Sequence, residues 1–369
     1  MNRRLLVDLD ALAANYRLCR EAAGTGAAAG AVVKADAYGT GMTAVAERLF
    51  REGCRAFFVA SADEGLALRS RLGADPEIFL FEGPERDSAA DLAAAGITPV
   101  LNHPGQLQCW LPYAEMPAAV HVDTGMSRLG FDRAVSADDF RGVTVSLLMS
   151  HLACADEPEH PLNAIQRQRF DELRGQFPGV RTSLENSAGW LAGSGRNSDL
   201  GRPGIGLYGG NPFLSRPNPC QPVAALQGRV LQVKTLAAGE AVGYGASHVL
   251  DGKTRVAVVA LGYADGVPRA LSGCGALFLG GRRCPILGRV SMDMTVVSVE
   301  GLEAVQTGDW AECFGARLPL DEVARQAATI PYTLLTGVGP RVPRLLQPLS
   351  AADDPVVGDR LPEDGKAAD

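Results

Sequence analysis

The chain has 369 residues, 46% hydrophobic and 21% charged, which excludes a disordered, collagenous or channel-forming protein and leaves one large or two ordinary domains. Of its net charge of −7, the segment Pro348 to Asp369 supplies −4, through six acids against Arg360 and Lys366. The remainder is nearly neutral and carries no electrostatic footprint for nucleic acid or an anionic membrane, so a small molecule is the expected partner.

From the start, the chain reaches the carboxylate of Asp8 after only three apolar residues, which predicts no secretory segment. Ala22 to Val33, the longest weakly polar run, is closed by Lys34 and is too short to cross a bilayer. Eight cysteines lie scattered without a CxxC pair, the pattern of reduced, buried thiols in a cytoplasmic protein.

Short β-branched or aromatic runs follow at Ala31–Val33, Ala56–Ala60, Glu77–Phe81, Thr98–Leu101, Ala118–Val122, Val145–Met149 and Arg181–Leu184, with a weaker one near Ser198–Leu200. Helical periodicity separates them, as in Met42, Val45, Ala46 and Leu49. Such alternation predicts parallel βαβ units, and eight of them predict an α/β fold of the (β/α)8 TIM-barrel type over residues 1–215. A doubly wound open sheet is the rival arrangement. Pro212, Pro217, Pro219 and Pro222 mark a linker. Beyond it, Arg229–Val233, Arg255–Ala260, Ala276–Leu279, Cys284–Ile286, Met294–Ser298 and Trp310–Cys313 alternate with glycine turns. These predict a mainly antiparallel β domain over 222–347, and the acidic tail 348–369 reads as disordered.

Barrels carry their chemistry just past the C-terminal ends of their strands. The first predicted strand runs into Lys34, either a snorkelling side chain or a desolvated amine ready to form a Schiff base. The last two run into Glu185-Asn-Ser-Ala-Gly189 and the glycine-rich Gly201-Arg-Pro-Gly-Ile-Gly-Leu-Tyr-Gly209, where barrels commonly bind phosphate. A reactive lysine coupled to a phosphate loop points to a phosphorylated carbonyl cofactor, and pyridoxal 5'-phosphate fits both halves.

The run Ala31-Val-Val-Lys-Ala-Asp-Ala-Tyr-Gly-Thr-Gly41 resembles the cofactor-lysine signature of alanine racemases. The resemblance continues, in order, through His121-Val-Asp-Thr-Gly-Met-Ser-Arg-Leu-Gly130, Ser150-His-Leu152, Glu185–Gly189 and Gly201–Gly209. It extends to Val242-Gly-Tyr-Gly-Ala246, Gly262-Tyr-Ala-Asp-Gly266, Gly288-Arg-Val-Ser-Met-Asp293 and Gly339-Pro-Arg-Val-Pro-Arg344. It implies a pyridoxal-phosphate enzyme that interconverts L- and D-alanine as a head-to-tail homodimer, with Lys34 as base on one face of the substrate and Tyr244 of the partner subunit on the other. Arg202 would face the pyridine nitrogen, and because a guanidinium gives up no proton there it would limit transamination. By the same resemblance Tyr38, Asn186, Ser187, Gly204 and Ile205 bind the cofactor, Arg128 approaches both cofactor and substrate carboxylate, and His151 assists Tyr244. Met292 and Tyr263 meet the substrate, while Asp156, Arg269 and Arg289 guard the entrance; no metal is implied.

Two positions depart from the family. Many members have a carbamylated Lys where this chain has His121, and imidazole forms no carbamate. Where a Tyr is usual beside the phosphate, the chain has Leu346, a loss of one hydrogen bond worth about 0.5–1.5 kcal/mol. Rival functions are a serine, lysine or broad amino-acid racemase, and a non-catalytic pyridoxal-phosphate carrier, against which the β domain with Tyr244 argues. A lyase on a related barrel would carry a metal cluster, to which only His151 and Cys154 make an approach.

Overall fold

The computed structural model describes residues 1–193 and 198–349, so all of the acidic tail but Pro348 and Leu349 lies outside the described residues. The chain divides into two compact units, Leu12–Gln221 and a second made of Met1–Ala11 with the chain from Pro222 onward. One change of unit falls at the end of the proline-rich stretch; the other, between Ala11 and Leu12, places the first eleven residues with the β unit and not in the barrel expected over 1–215.

In the first unit, Ala31–Val32, Ala56–Val59, Glu77–Leu80, Thr98–Leu101, Pro117–His121, Thr144–Met149 and Arg181–Ser183 form a seven-stranded parallel sheet in sequence order. Ala56–Val59 and Thr98–Leu101 are buried throughout, which is why they read as unbroken apolar runs. The eighth strand, Leu200–Gly201, pairs with Ala28–Ala29 in a small sheet of its own. Backbone bonds from Asp199 N to Thr182 O (3.0 Å) and from Val32 N to Pro203 O (3.0 Å) carry the hydrogen bonding from the last strand to the first. The curled sheet closes there through these bonds.

Helices Met42–Arg51, Ala62–Leu72, Ala89–Ala94, Pro104–Trp110 and Pro161–Gln176 fill most crossovers. Ala62–Leu72 starts in a full capping box, Ser61 with Glu64. Among the described residues, the crossover after Pro117–His121 has only the short 3-10 turn Ala137–Phe140 in place of an α-helix. Its loop is folded by Asp123, whose Oδ1 accepts the amides of Gly125 (2.8 Å), Met126 (2.8 Å) and Ser127 (3.1 Å). That turn carries Arg128.

The second unit is built on one 13-residue strand, Ala224–Leu236. Its first half pairs with Arg3–Val7 and Trp310–Phe314, and its second half with Thr254–Val259, a change of partner marked by a bulge between Val230 and Gln232. Ala276–Leu279, Arg282–Pro285 and Thr295–Ser298 complete the antiparallel part, and Arg344–Leu346 adds a parallel strand against Arg3–Val7. The two outermost contributions in sequence, Arg3–Val7 and Arg344–Leu346, are strands the sequence pattern does not announce, because the first pairs only with distant strands and the second is three residues long and half-exposed. Among the described residues, no helix is long and apolar enough to cross a membrane.

Candidate active site

Lys34 stands two residues beyond the end of strand Ala31–Val32, at the start of an unusual turn. Ala35, Asp36, Ala37 and Tyr38 all have φ between 52° and 57°. For L residues this left-handed conformation costs roughly 1–2 kcal/mol each, and such strain persists only where surrounding contacts impose it. Here Ala37 N bonds Val33 O at 2.8 Å, Thr40 Oγ1 bonds Ala37 O at 2.5 Å, and Asp36 Oδ1 accepts Met42 N at 2.7 Å. The Lys34 amine lies 5.6 Å from the centre of the Phe81 ring. Burial pulls its pKa below the usual lysine range and Arg128 adds to this, while Glu64 and Glu82 oppose it. The amine is therefore closer to its nucleophilic, neutral form than a surface lysine.

Arg202 is buried at the end of the closing segment. Its Nη1 donates to Ser183 Oγ at 2.5 Å, and its Nη2 to the carbonyls of Ser150 (2.5 Å) and Leu184 (3.2 Å) and to His151 Nδ1 (3.3 Å). Burial lowers its pKa to about 10 against the opposing charge of Glu185, so it remains a cation at neutral pH. Because a guanidinium only donates, Nδ1 of His151 is the accepting nitrogen and Nε2 carries the hydrogen. Burial and then Arg202, Arg128, His121 and Lys34 hold the His151 pKa well below the usual range, so the ring is neutral. Gln166 fixes the backbone beneath it by donating to His151 O at 2.8 Å.

The loop after Arg202 is threaded against both Ser187 and Tyr38. Ser187 Oγ accepts the amides of Gly204 (2.8 Å) and Gly206 (3.2 Å), which leaves its own hydroxyl hydrogen to donate elsewhere. The Oδ1 of Asn186 caps the short helix Ser187–Leu191 by accepting Gly189 N at 3.1 Å. A Cβ on Gly204 would lie 2.3 Å from Tyr38 Oη, so only glycine fits. Tyr38 stacks on buried Tyr208 with ring centres 4.5 Å apart, and Ile205 opens the turn Ile205–Tyr208.

Arg128 is exposed and makes no hydrogen bond or ion pair with any described residue, although its charge acts on Lys34, His121 and His151. His121 is buried, with Nδ1 2.9 Å from Asn102 Oδ1. Asn102 directs its NH2 to the carbonyls of Phe81 (3.0 Å) and Val100 (2.8 Å), so its oxygen faces His121 and Nδ1 must be the donor. Burial, Arg202 and Arg128 hold the His121 pKa down to about 4. Asp156 is half-buried in the loop after Thr144–Met149, its carbonyl accepting Leu214 N at 3.1 Å.

The second unit gathers the other candidates. Tyr244 is 71% exposed between two left-handed glycines, and Arg289 lies against its turn, 3.0 Å from where a Gly245 Cβ would stand. The turns bearing Tyr263 and Met292 are zipped together through Tyr263 N to Ser291 O and Ala264 N to Met292 O, both 3.0 Å. Ser272 joins the Arg269 turn to the same strip, donating to Arg269 O at 2.6 Å and accepting Val290 N at 3.0 Å. Beneath lies Asp265, fully buried, which accepts Arg3 Nη1 (3.0 Å), Gly262 N (2.9 Å) and Arg341 Nε (2.7 Å). Tyr244, Tyr263, Arg269, Arg289 and Met292 thus share one exposed face, while half-exposed Leu346 sits on the last strand.

The structure brings Lys34, Tyr38, Arg128, His151, Asn186, Ser187, Arg202, Gly204 and Ile205 to the strand-end side of the barrel. Ser183, Asn102, Glu64 and Asp265 belong to these networks without standing out in the sequence. Asn102 and Ser183 were within reach, since each sits at the C-terminal end of a barrel strand.

Two family models cover most of the chain. Residues 7–212 match the model for the alanine racemase N-terminal domain, and residues 223–346 that for the C-terminal domain. The chain is 42% identical to the alanine racemase of Rhodospirillum rubrum over 92% of its own length and 94% of that protein's. It is 43% identical to the catabolic alanine racemase of Rhizobium johnstonii, over 92% and 93%. Among solved structures, the alanine racemase of Bartonella henselae with covalently bound pyridoxal phosphate superposes with a TM-score of 0.89 at 35% identity, covering 94% of this chain and all of that one. The biosynthetic alanine racemase of Pseudomonas aeruginosa gives 0.87 at 36%, covering 94% and 99%.

Proposed function

The chain belongs to the alanine racemase family, and from that premise we propose that it interconverts L- and D-alanine with pyridoxal phosphate held by Lys34. The observation that carries the proposal is the convergence on one barrel end of a lysine with a depressed pKa, a buried guanidinium and a glycine-rich loop tied to Ser187. The fit is specific: a side chain at Gly204 would collide with Tyr38 Oη, and Ser187 Oγ, which accepts the amides of Gly204 and Gly206, keeps its hydroxyl hydrogen to donate to a phosphate. When bound, pyridoxal phosphate supplies an electron sink that acidifies the Cα–H of an amino acid.

Tyr38, Ser187, Gly204 and Ile205 hold the phosphate, with Asn186 fixing the helix start. Arg202, charged and unable to give up its proton, would face the ring nitrogen of a bound cofactor and would so favour racemisation over transamination. Arg128, uncommitted to any described residue, takes the substrate carboxylate. Lys34 moves the proton on one face of Cα, and Tyr244 of the partner subunit moves it on the other. The Nε2–H of His151 supports that phenol. A head-to-tail homodimer is the assembly this requires, and the exposed strip of Tyr244, Tyr263 and Met292 supports it. Cofactor binding is thereby assigned to the barrel and the opposing acid–base group to the β domain. Free thiols at all eight cysteines support a cytoplasmic location.

A broader amino-acid racemase is the second reading, favoured by one residue: Leu346 offers no hydroxyl where the family commonly has a tyrosine. Borohydride reduction of the loaded protein followed by peptide mass analysis tests the proposal. It is expected to place the pyridoxyl group on Lys34, with K34A losing both the adduct and alanine racemisation. An adduct elsewhere would overturn it.

A further inference from the structure

The left-handed turn behind Lys34 is fastened at its far end by its own residues, through Asp36 to Met42 and Thr40 to Ala37. At its near end it is fastened by a side chain from another element. Glu64 Oε1 accepts the amide of Ala35 at 2.6 Å. That amide belongs to the same planar peptide as the carbonyl of Lys34, so the bond fixes the backbone from which the lysine side chain springs. The other oxygen, Oε2, accepts Ala60 N at 2.8 Å and Ser61 N at 3.4 Å. One carboxylate therefore ties the ends of two adjacent barrel strands, Ala31–Val32 and Ala56–Val59. A capping-box glutamate needs only the amide at its own helix start; the second bond, to a strained segment, goes beyond capping.

We propose that Glu64 is the positioning residue of Lys34, holding the left-handed turn so that the amine points into the site. The inference rests on the reading of Lys34 as the cofactor lysine. The charged groups acting on that amine are Glu64 and Glu82, which favour its protonated form, and Arg128, which opposes it; the neutral ring of His151 also faces it. Glu64 thus supplies both an anchor and a counter-charge.

The test uses E64A, E64Q and, as a control, S61A. S61A removes the helix cap, in which Ser61 Oγ accepts Glu64 N, but leaves the carboxylate on Ala35. In the cofactor-free protein, amide exchange at Ala35 to Gly39 should quicken about tenfold or more in E64A and stay unchanged in S61A. The pH midpoint for acetylation of Lys34 should fall in E64Q, because a counter-charge is gone while the site stays closed. In the loaded enzyme, kcat should drop about ten- to a hundredfold in E64A, with KM for alanine little changed and E64Q intermediate. Should E64A fail to fold, E64Q carries the comparison. Wild-type exchange and acetylation profiles in the Glu64 variants would overturn the proposal, as would equal effects in S61A. A wild-type chain that takes no pyridoxal phosphate on Lys34 would refute the reading of Lys34 instead, and the exchange result would still judge Glu64.

Discussion

Nη2 of Arg202 lies 3.3 Å from Nδ1 of His151, and this contact sets the hydrogen of the imidazole on its other nitrogen. One buried cation thereby does two things: it faces the cofactor ring in the proposed complex, and it prepares His151 as a neutral donor. Both roles need the planar fork, since Ser183, Ser150, Leu184 and His151 are reached by two nitrogens at once.

R202K tests that pairing. Lysine keeps the charge but cannot reach all four partners, so kcat is expected to fall about ten- to a hundredfold. The fraction of alanine converted to the keto acid should rise, because an ammonium can release a proton where a guanidinium does not. Unchanged partitioning between racemisation and keto-acid formation would remove Arg202 from the role assigned to it.

Acid sensitivity follows from His121. Its pKa is held at about 4 in the folded state against an unperturbed value of 6.5, so the unfolded chain binds the extra proton first as pH falls. Stability is then lost on acidification from about pH 6.5 to pH 4, by up to about 3 kcal/mol from this residue. Thermal melts across that window should show a smaller slope in H121N than in the wild type. Equal slopes would mean that the buried imidazole is already protonated.

G204A probes the phosphate loop. A methyl group there meets Tyr38 Oη at 2.3 Å, an overpacking that costs about 1–3 kcal/mol and should weaken pyridoxal-phosphate binding by roughly five- to 150-fold. Adding Y38F removes the clashing oxygen and should restore the loop's fit without restoring the lost hydroxyl. Cofactor titration followed by absorbance reads both, and wild-type affinity in G204A would place the phosphate elsewhere.

The shared site predicts complementation between inactive variants. K34A and Y244F are each expected to lose alanine interconversion by roughly a hundred- to ten-thousandfold. When the two are unfolded together and refolded as mixed dimers, one site in each mixed dimer regains both groups, and activity should return. No recovery in a verified mixed dimer would confine Lys34 and Tyr244 to one chain or separate their roles.

Much of this arrangement is legible in the sequence because parallel strands buried on both faces leave continuous apolar runs, and their ends mark Lys34 and the loops at Glu185 and Gly201. The eighth strand is faint for a physical reason: Leu200–Gly201 is two residues long and closes the ring through loop hydrogen bonds. Arg3–Val7 is equally quiet, since its partners, Ala224–Leu236 and Arg344–Leu346, lie hundreds of residues away. Side chains that act on groups far along the chain leave less trace. Glu64 reads as an ordinary capping glutamate and Asp265 as a loop acid, and only the fold brings the first to Ala35 and the second to Arg3 and Arg341.

The central claim is that Lys34 and Tyr244 exchange the α-proton of alanine on opposite faces. The most direct measurement is α-proton exchange in deuterated buffer, with pyridoxal phosphate present, offering each enantiomer of alanine to the wild type and to Y244F. The account predicts exchange with inversion from both enantiomers in the wild type, and in Y244F exchange of one enantiomer with retention and almost no inversion. Inversion persisting in Y244F, or no exchange of alanine by a wild-type protein carrying the cofactor, would contradict it.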